Sequence, residues 1–403
     1  MSNTNHNILI VGGGTAGITV AAQLLRQNKA LNITIVEPSE KHYYQAAWTL
    51  VGGGAFDINA TVRAEADYIP AGAKWVKDYV TQLNPQENSV TLASGGKLSY
   101  DYMVVCPGIQ LDWHKVKGLP ESIGKNNVCS NYAFNLAPYT WECLQNFKGG
   151  NMLFTNPNTP IKCGGAPHKI MYLASDYLRK HNLLSKSQVH YTSAGGVIFG
   201  IKSYADTLNK VIERYHIKTH FFHNLKEIRP DKREAVYDIL KDGQPVDEVV
   251  MPYDMIHITP PMSAPDFIKQ SPLANAAGWI DVNKNTLQHV TYANVFGIGD
   301  ATGTPNAKTG AAIRKQAPVL VHNLLSLIKN GTIEQAKSYD GYASCPIVTG
   351  YGKLVLAEFD YNNNPTPTFA PFIDQTKEQY SMWLMKKYAL PFMYWELMLK
   401  GLA

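Results

Sequence analysis

The chain has 403 residues, of which 45% are hydrophobic and 17% charged, with a formal net charge of +5. This is length for about two or three domains around a substantial core, and it excludes an intrinsically disordered chain. The modest positive charge is spread out with no polybasic block, so nothing points to nucleic-acid binding. Residues 1–7 are polar and do not read as a secretory signal, and no uninterrupted apolar stretch of about eighteen residues predicts a spanning helix.

The first predicted elements lie within residues 7–37. Ile8, Leu9, Ile10 and Val11 form a short apolar run, the turn Gly12-Gly13-Gly14-Thr15-Ala16-Gly17 follows, and Ile18, Val20, Ala21, Leu24 and Leu25 recur at helical spacing. Ile33 to Val36 is the next strand, ending at Glu37. Gly12 permits the tight turn, Gly14 leaves room for a pyrophosphate, and Gly17 lets helix and strand approach. Thr15 and Ala16 open a helix whose free N–H groups would face the phosphates. Glu37 is placed to accept from a ribose hydroxyl. Strand, turn, helix and acid together predict a dinucleotide site rather than a merely structural turn.

Next, Lys41-His42-Tyr43-Tyr44-Gln45 brings aromatic and amide groups to where a cofactor could lie, although an ordinary surface loop fits as well. Residues 80–108 alternate strands with turns and close on Tyr102 to Val105, then Cys106, Pro107 and Gly108, a return toward the cofactor. Cys106 stands where a small residue is needed and reads as buried rather than catalytic. A second α/β region begins near residue 120. Met152 to Thr155 predicts a strand, Lys162-Cys163-Gly164-Gly165-Ala166-Pro167 a small-residue turn, and Ile170, Met171, Leu173, Ala174 and Leu178 a helix. A thiol at that helix N-terminus beside Lys162 would have a lowered pKa; a buried, inert cysteine is the alternative. After the strand Val189 to Thr192, the run Ser193-Ala194-Gly195-Gly196-Val197-Ile198-Phe199-Gly200 lacks the GxGxxG spacing and puts Ile198 and Phe199 where phosphates need room. This region is expected to keep the fold without an NAD site.

Residues 278–300 return to the first domain, with Val295 to Ile298 as a strand leading to Gly299 and Asp300. Asp300 could accept from the ribityl chain of a flavin, and the helix beginning near Thr309, after Lys308, could face the pyrimidine edge. With the first motif this predicts FAD, held by Gly12, Gly14, Thr15, Ala16, Gly17, Glu37, Gln45, Gly108, Gly299, Asp300, Lys308 and Thr309. The five cysteines, Cys106, Cys129, Cys143, Cys163 and Cys345, lack CxxC or Cys/His ligand spacing, so no metal is expected.

Longer motifs carry a resemblance to a known family. His42-Tyr43-Tyr44-Gln45, Trp48-Thr49-Leu50-Val51-Gly52, Ile109-Gln110-Leu111-Asp112, Lys162-Cys163 with Ala166-Pro167 and Lys169-Ile170-Met171-Tyr172, Thr259-Pro260-Pro261-Met262, and Ser344-Cys345-Pro346-Ile347-Val348-Thr349-Gly350-Tyr351 resemble the sulfide:quinone oxidoreductases, in particular the mitochondrial-type branch. With the elements above, this implies an α/β fold of two Rossmann-like dinucleotide-binding domains plus a C-terminal membrane-associating helical segment. Residues 1–120 and 270–345 would form a discontinuous FAD-binding domain, 121–269 the second Rossmann-like domain, and 346–403 a quinone and membrane-interface region.

The resemblance also implies that Cys163 and Cys345 are the catalytic, redox-active pair. Hydrogen sulfide would attack their disulfide, or the sulfur-bridged form of the pair, leaving a persulfide on Cys345 and freeing the Cys163 thiolate to meet the flavin, from which two electrons pass to a membrane quinone. A small sulfur acceptor (sulfide, sulfite, glutathione or coenzyme A) would take the sulfane sulfur. Cys129 lies outside this pair and reads as structural, with a part in polysulfur release as the alternative. His168 replaces the amide expected beside the Cys163 turn. A type II NADH:quinone oxidoreductase is the alternative enzyme, disfavoured by the missing second glycine motif and the cysteine pair. A non-catalytic flavoprotein acting as a binding partner is a further alternative.

In the tail, Tyr380 to Tyr388 and Pro391 to Lys400 are rich in Met and aromatics and predict two short helices split at Pro391. They are too short to span a bilayer but suit an interfacial anchor, so peripheral membrane association is expected. Packing in a core or in a homo-oligomer interface is the alternative.

Overall fold

A computed structural model describes residues 6–333 and 335–403. Residues 1–5, part of the stretch read above as carrying no secretory signal, lie outside the described residues. Strand β1 (Asn7–Val11), helix α1 (Thr15–Gln27) and strand β2 (Asn32–Val36) form the expected βαβ unit, with β1 and β2 parallel. Ile8 to Val11 are buried one after another, as a parallel strand covered on both faces requires. Strands β3 (Ala73–Val76) and β4 (Tyr102–Val105) pair with β2 and β1 from either side.

The chain then builds a second parallel sheet from β5 (Val128–Cys129), β6 (Gly150–Asn156), β7 (Ser187–Ser193), β8 (Lys218–Phe221) and β9 (Met255–His257). Their spatial order is β5-β9-β6-β7-β8. Helices α2 (Ala137–Asn146), α3 (Ala166–Lys180) and α4 (Lys202–Arg214) cross between these strands. Strand β10 (Val295–Gly297) returns to the first sheet and completes the order β10-β4-β1-β2-β3, before helix α5 (Gly310–Asn330) packs on α1. The first sheet is therefore made from two stretches of chain with the second sheet inserted between them. A hairpin, β11 (Ala343–Gly350) and β12 (Lys353–Phe359), lies against α3.

The tail departs from the expected pair of helices. One helical path runs through residues 380–398, with α turns at Tyr380–Leu384 and Leu390–Phe392 and π turns at Met385–Ala389 and Met393–Met398. Pro391 has no N–H to donate and its ring would crowd the carbonyl four residues back; the wider π turn before it absorbs both demands without a break. Met382 and Trp383 bury against Leu50, Leu173, Val348, Leu354 and Leu356, while Tyr394, Trp395, Met398 and Leu399 join the core beneath the first sheet. The start of the tail is clamped by a two-pronged ion pair, Arg214 Nη1 to Glu378 Oε1 at 2.8 Å and Nη2 to Oε2 at 2.5 Å. Among the described residues no helix is long and apolar enough to cross a membrane, and no cluster of His, Cys, Asp and Glu could hold a metal ion.

Candidate active site

The first glycine turn is shaped to admit a group from outside. Gly12 has φ +106, and a Cβ on Gly17 would lie 1.9 Å from the Gly12 carbonyl oxygen. At Gly14, by contrast, nothing lies within 4 Å of where a Cβ would stand, so the turn opens on free space at the N-terminus of α1. Gly108, beyond β4, is open in the same way. Glu37 Oε2 accepts from Gly13 N at 2.8 Å and Oε1 from Ser39 N at 2.8 Å, which fixes the carboxylate at the rim. Burial raises its pKa despite both bonds. Ala16 is buried. The Thr15 hydroxyl is engaged by the tail, 2.7 Å from the Tyr394 hydroxyl, which leaves the backbone N–H of Thr15 for a phosphate.

Across the sheet, Gly299 donates its N–H to Gln316 Oε1 at 3.2 Å, Asp300 follows, and the Thr309 side chain caps α5 by accepting from Ala312 N at 3.2 Å. Lys308 Nζ donates to Thr302 O at 2.9 Å and lies 4.0 Å from the centroid of the Trp279 ring. Gly299, Asp300, Lys308 and Thr309 line one cleft together with Asn306, Ala312 and Gln316. Loss of solvent raises the Asp300 carboxyl against the pull of Lys308 and Lys162, and it lowers both of those ammonium groups to about 8. Gln45 is exposed and accepts from Lys162 Nζ at 2.7 Å, so it braces the cysteine turn.

That turn is stapled to the same region. Lys162 and Lys308 form a β-bridge, and Cys163 N donates to Lys308 O at 2.8 Å. Cys163 has φ +54, a strained conformation for a residue with a side chain and one that gathers at functional sites. Its Sγ lies 3.0 Å from Lys169 Nζ, on the first turn of α3. Cys345, on β11, meets the same helix start; a Cβ on Gly165 would stand 2.3 Å from Cys345 Sγ, so only glycine leaves it room. The two cysteines are free thiols within hydrogen-bond reach of each other. The hydrogen bond from Cys345, helped by the Lys169 charge and opposed by burial, holds Cys163 well below the usual thiol range. That same bond and burial push Cys345 up. Of the two thiols, Cys163 is the one whose surroundings favour the thiolate.

A second buried ammonium reaches the pair from the tail. Lys386 Nζ donates to Ala46 O at 3.1 Å, and burial, with the nearby Lys169 charge, lowers it to about 7 while the two thiols pull it up. Burial works against Lys169 as well, but Cys163 and Cys345 hold its pKa above the usual lysine value. Sequence reasoning gave neither lysine a role. Lys169 did carry a signal, a cation on an otherwise apolar helix just after the cysteine turn; Lys386 carried none, because the chain brings it there from the far end.

Residues 6–139 match the family model described as pyridine nucleotide-disulphide oxidoreductase. Over 400 residues the chain is 49% identical to the mitochondrial sulfide:quinone oxidoreductase of Mus musculus, covering 99% of this chain and 88% of that protein. The mitochondrial sulfide:quinone oxidoreductase of Dictyostelium discoideum is 48% identical over 98% of this chain and 86% of its own length. The chain belongs to the sulfide:quinone oxidoreductase family. The X-ray structure of the sulfide:quinone oxidoreductase from Aquifex aeolicus superposes with a TM-score of 0.81 at 21% identity, over 99% of this chain and 92% of that one, which speaks for a common fold.

In this member of the sulfide:quinone oxidoreductase family a ring from the end of β8 crowds the second glycine turn. A Cβ on Gly196 would lie 2.6 Å from the Phe222 ring, and Phe222 is held at φ +59 by the N–H it donates to Gly195 O at 3.3 Å. The remaining predicted residues fall away from the thiol pair. Cys129 is fully buried, with its Sγ donating to Ile256 O at 3.5 Å and Cys143 as its thiol neighbour. His168 turns its Nε2 to the Tyr191 hydroxyl at 3.0 Å, and burial lowers it to about 4, so it is neutral and makes no contact with either thiol. Cys106 is buried with its Sγ donating to Gly12 O at 3.5 Å, in keeping with a packing role.

Proposed function

We propose that this chain oxidises sulfide at Cys163 and Cys345 and passes the electrons through FAD to a membrane quinone. The observation that carries the reading is the dithiol at the start of α3, with the Cys163 sulfur 3.0 Å from a buried lysine. FAD fits the residues present: an open glycine cradle at Gly14, a carboxylate anchored at Glu37, and a cleft between Asp300, Lys308 and the capped start of α5. When bound it supplies a two-electron acceptor beside the cysteine turn.

The chain's own residues do the rest. Lys169, and Lys386 below about pH 7, attract the hydrosulfide anion. In the oxidised pair, hydrosulfide attacks the Cys345 sulfur. The new S–S bond forms on Cys345, the Cys163–Cys345 bond breaks, and its electron pair stays on Cys163, where the lysine contact stabilises the thiolate. The hydrosulfide proton leaves to water. The pair is reduced by two electrons, the sulfur becomes sulfane sulfur on Cys345, and a small nucleophilic acceptor carries it away.

The tail suits the quinone side. Tyr380, Leu384, Tyr388 and Phe392 recur every four residues and are 64%, 38%, 61% and 61% exposed, an apolar stripe on the outer face of a helix whose inner face is packed. Such a stripe fits shallow insertion at a bilayer surface, where a lipid-soluble acceptor is found. NADH is the less favoured donor because Phe222 fills the second glycine turn. An anaerobic spectral titration tests the reading: sulfide should bleach the bound flavin, decyl-quinone should restore it, and NADH should do neither. Bleaching by NADH would select the NADH:quinone reading, and bleaching by no donor a binding protein.

A further inference from the structure

Residues 130–132 leave strand β5 and pass directly under the cysteine turn, and they are held there firmly. Ser130 Oγ donates to Ile258 O at 2.7 Å, Asn131 N donates to His257 Nε2 at 3.0 Å, and Tyr132 N donates to Ser130 Oγ at 3.2 Å. The Tyr132 ring, 3% exposed, packs in one cluster with Ala166 and Met262, against which Cys163 also packs. Its hydroxyl is buried with no partner at hydrogen-bond geometry, and so is the hydroxyl of Thr259, the polar group beside it. A buried hydroxyl without a partner costs about 1–3 kcal/mol, so two such groups beside the reactive thiols need a reason.

The sulfur chemistry provides one. On the reading above, the sulfur delivered by sulfide ends as an anionic outer atom on Cys345, one atom beyond the two thiols that Lys169 already serves. We infer that Tyr132, with Thr259 behind it, is the hydrogen-bond donor that receives the sulfane sulfur, which makes the space between the cysteine turn and residues 130–132 a subsite for a terminal perthiolate. The phenol suits this role because burial first, then Cys163, keep it well above the usual tyrosine range, so it stays a neutral donor throughout the working pH range. Tyr132 would then be a catalytic residue for the sulfur, and Thr259 a positioning residue for Tyr132.

The inference rests on the proposed function and can fail separately from it. The test uses the full-length, flavin-loaded protein as wild type, Tyr132→Phe and Thr259→Val. Each is treated anaerobically with sulfide across a pH series, and persulfide on Cys345 is measured by mass spectrometry alongside flavin bleaching. Wild type should bleach and carry the persulfide. Tyr132→Phe should hold roughly tenfold less or worse, the loss of one hydrogen bond to a charged group, and its pH profile should move alkaline by about one unit because the perthiolate becomes harder to ionise. Thr259→Val should shift the profile in the same direction by less, and it carries the test if the phenylalanine variant does not fold. Wild-type occupancy and profile in both variants would overturn the inference, as would a uniform loss with no pH shift, which means packing alone. Absence of bleaching in wild type would instead remove the underlying function.

Discussion

The two parallel sheets share one plan, and they differ at the glycine turn. In the first, Gly14 opens on free space and Glu37 is locked to the turn by the Gly13 N–H, with the Ser39 N–H on its other oxygen. In the second, the Phe222 ring lies 2.6 Å from where a Cβ on Gly196 would stand. The second sheet instead carries its chemistry at the preceding helix, where α3 starts just after Gly165, which lies under Cys345, and sets Lys169 against Cys163. One plan is thus put to two uses: one half opens its glycine turn at a helix N-terminus, and the other sets a buried cation against a thiol at the start of a helix.

The division is broken most severely by removing either thiol. Cys163→Ser and Cys345→Ser should each reduce sulfide-driven flavin bleaching to background, and the double variant should be no worse than either, because the pair acts as one unit. Stopped-flow absorbance under anaerobic conditions measures this. Near-normal bleaching in either single variant would redirect the assignment.

Truncation before Tyr380 comes next, and here the structure changes the expectation. A tail serving only the membrane could be deleted with sulfide bleaching intact. The tail seen here places Lys386 at the thiols and joins the first domain through a hydrogen-bonded chain: Thr15 Oγ1 to Tyr394 Oη at 2.7 Å, Tyr394 Oη to His42 Nε2 at 2.6 Å, and His42 Nδ1 to Glu65 Oε2 at 2.9 Å. Truncation should therefore lower FAD retention and bleaching together, as well as membrane binding. Tyr394→Phe isolates the first effect, with FAD affinity falling by about 1–3 kcal/mol because buried partners lose their bonds. Equilibrium dialysis of FAD against the variant checks it; wild-type affinity would make the chain a packing feature only.

How much of this was legible follows from distance along the chain. The first βαβ unit could be read because strand, turn and helix lie within about thirty residues and each glycine answers a local steric demand. The closed second turn was half legible: the wrong glycine spacing and the bulk of Ile198 and Phe199 were visible, but the residue that fills the space, Phe222, comes from the end of another strand. The cysteine pair entered through resemblance, since spacing alone left Cys163 open between reactive and inert. The contacts of Lys386 with Ala46 and of Tyr394 with Thr15 and His42 were not legible, because these partners lie hundreds of residues apart and only the folded chain brings them together. The helical break expected at Pro391 failed for a local reason, the π turn that makes room for the ring.

Charge at the thiols gives a smaller, graded prediction. Lys386 is lowered by burial from 10.5 to about 7. Its folded value lies below its unfolded value, so between about pH 7 and 10.5 the unfolded chain binds the extra proton and stability rises with pH across that window. Lys386→Met should flatten this rise, measured as urea midpoints at several pH values. The ratio of wild-type to variant kcat/KM for sulfide should fall as pH rises through about 7, where the ammonium loses its charge. A ratio independent of pH would separate Lys386 from anion capture.

The smallest effect tests the closed turn itself. Phe222 is 52% exposed, so Phe222→Ala should cost little stability, within about 1 kcal/mol by thermal unfolding. If Phe222 alone excluded a nicotinamide cofactor, the variant would begin to bleach with NADH. The surrounding chain argues otherwise: Ile198 is buried and Phe199 packs edge-on against Tyr204 and Phe359, so both keep their bulk near the turn, and Gly195 N remains bonded to Ser193 Oγ at 3.1 Å rather than free for a phosphate. The expected result is no bleaching by NADH and unchanged bleaching by sulfide. Measurable NADH reduction in this single variant would mean that the two halves differ by one side chain, and that the loss of the second nucleotide site is far shallower than the packing around Gly196 implies.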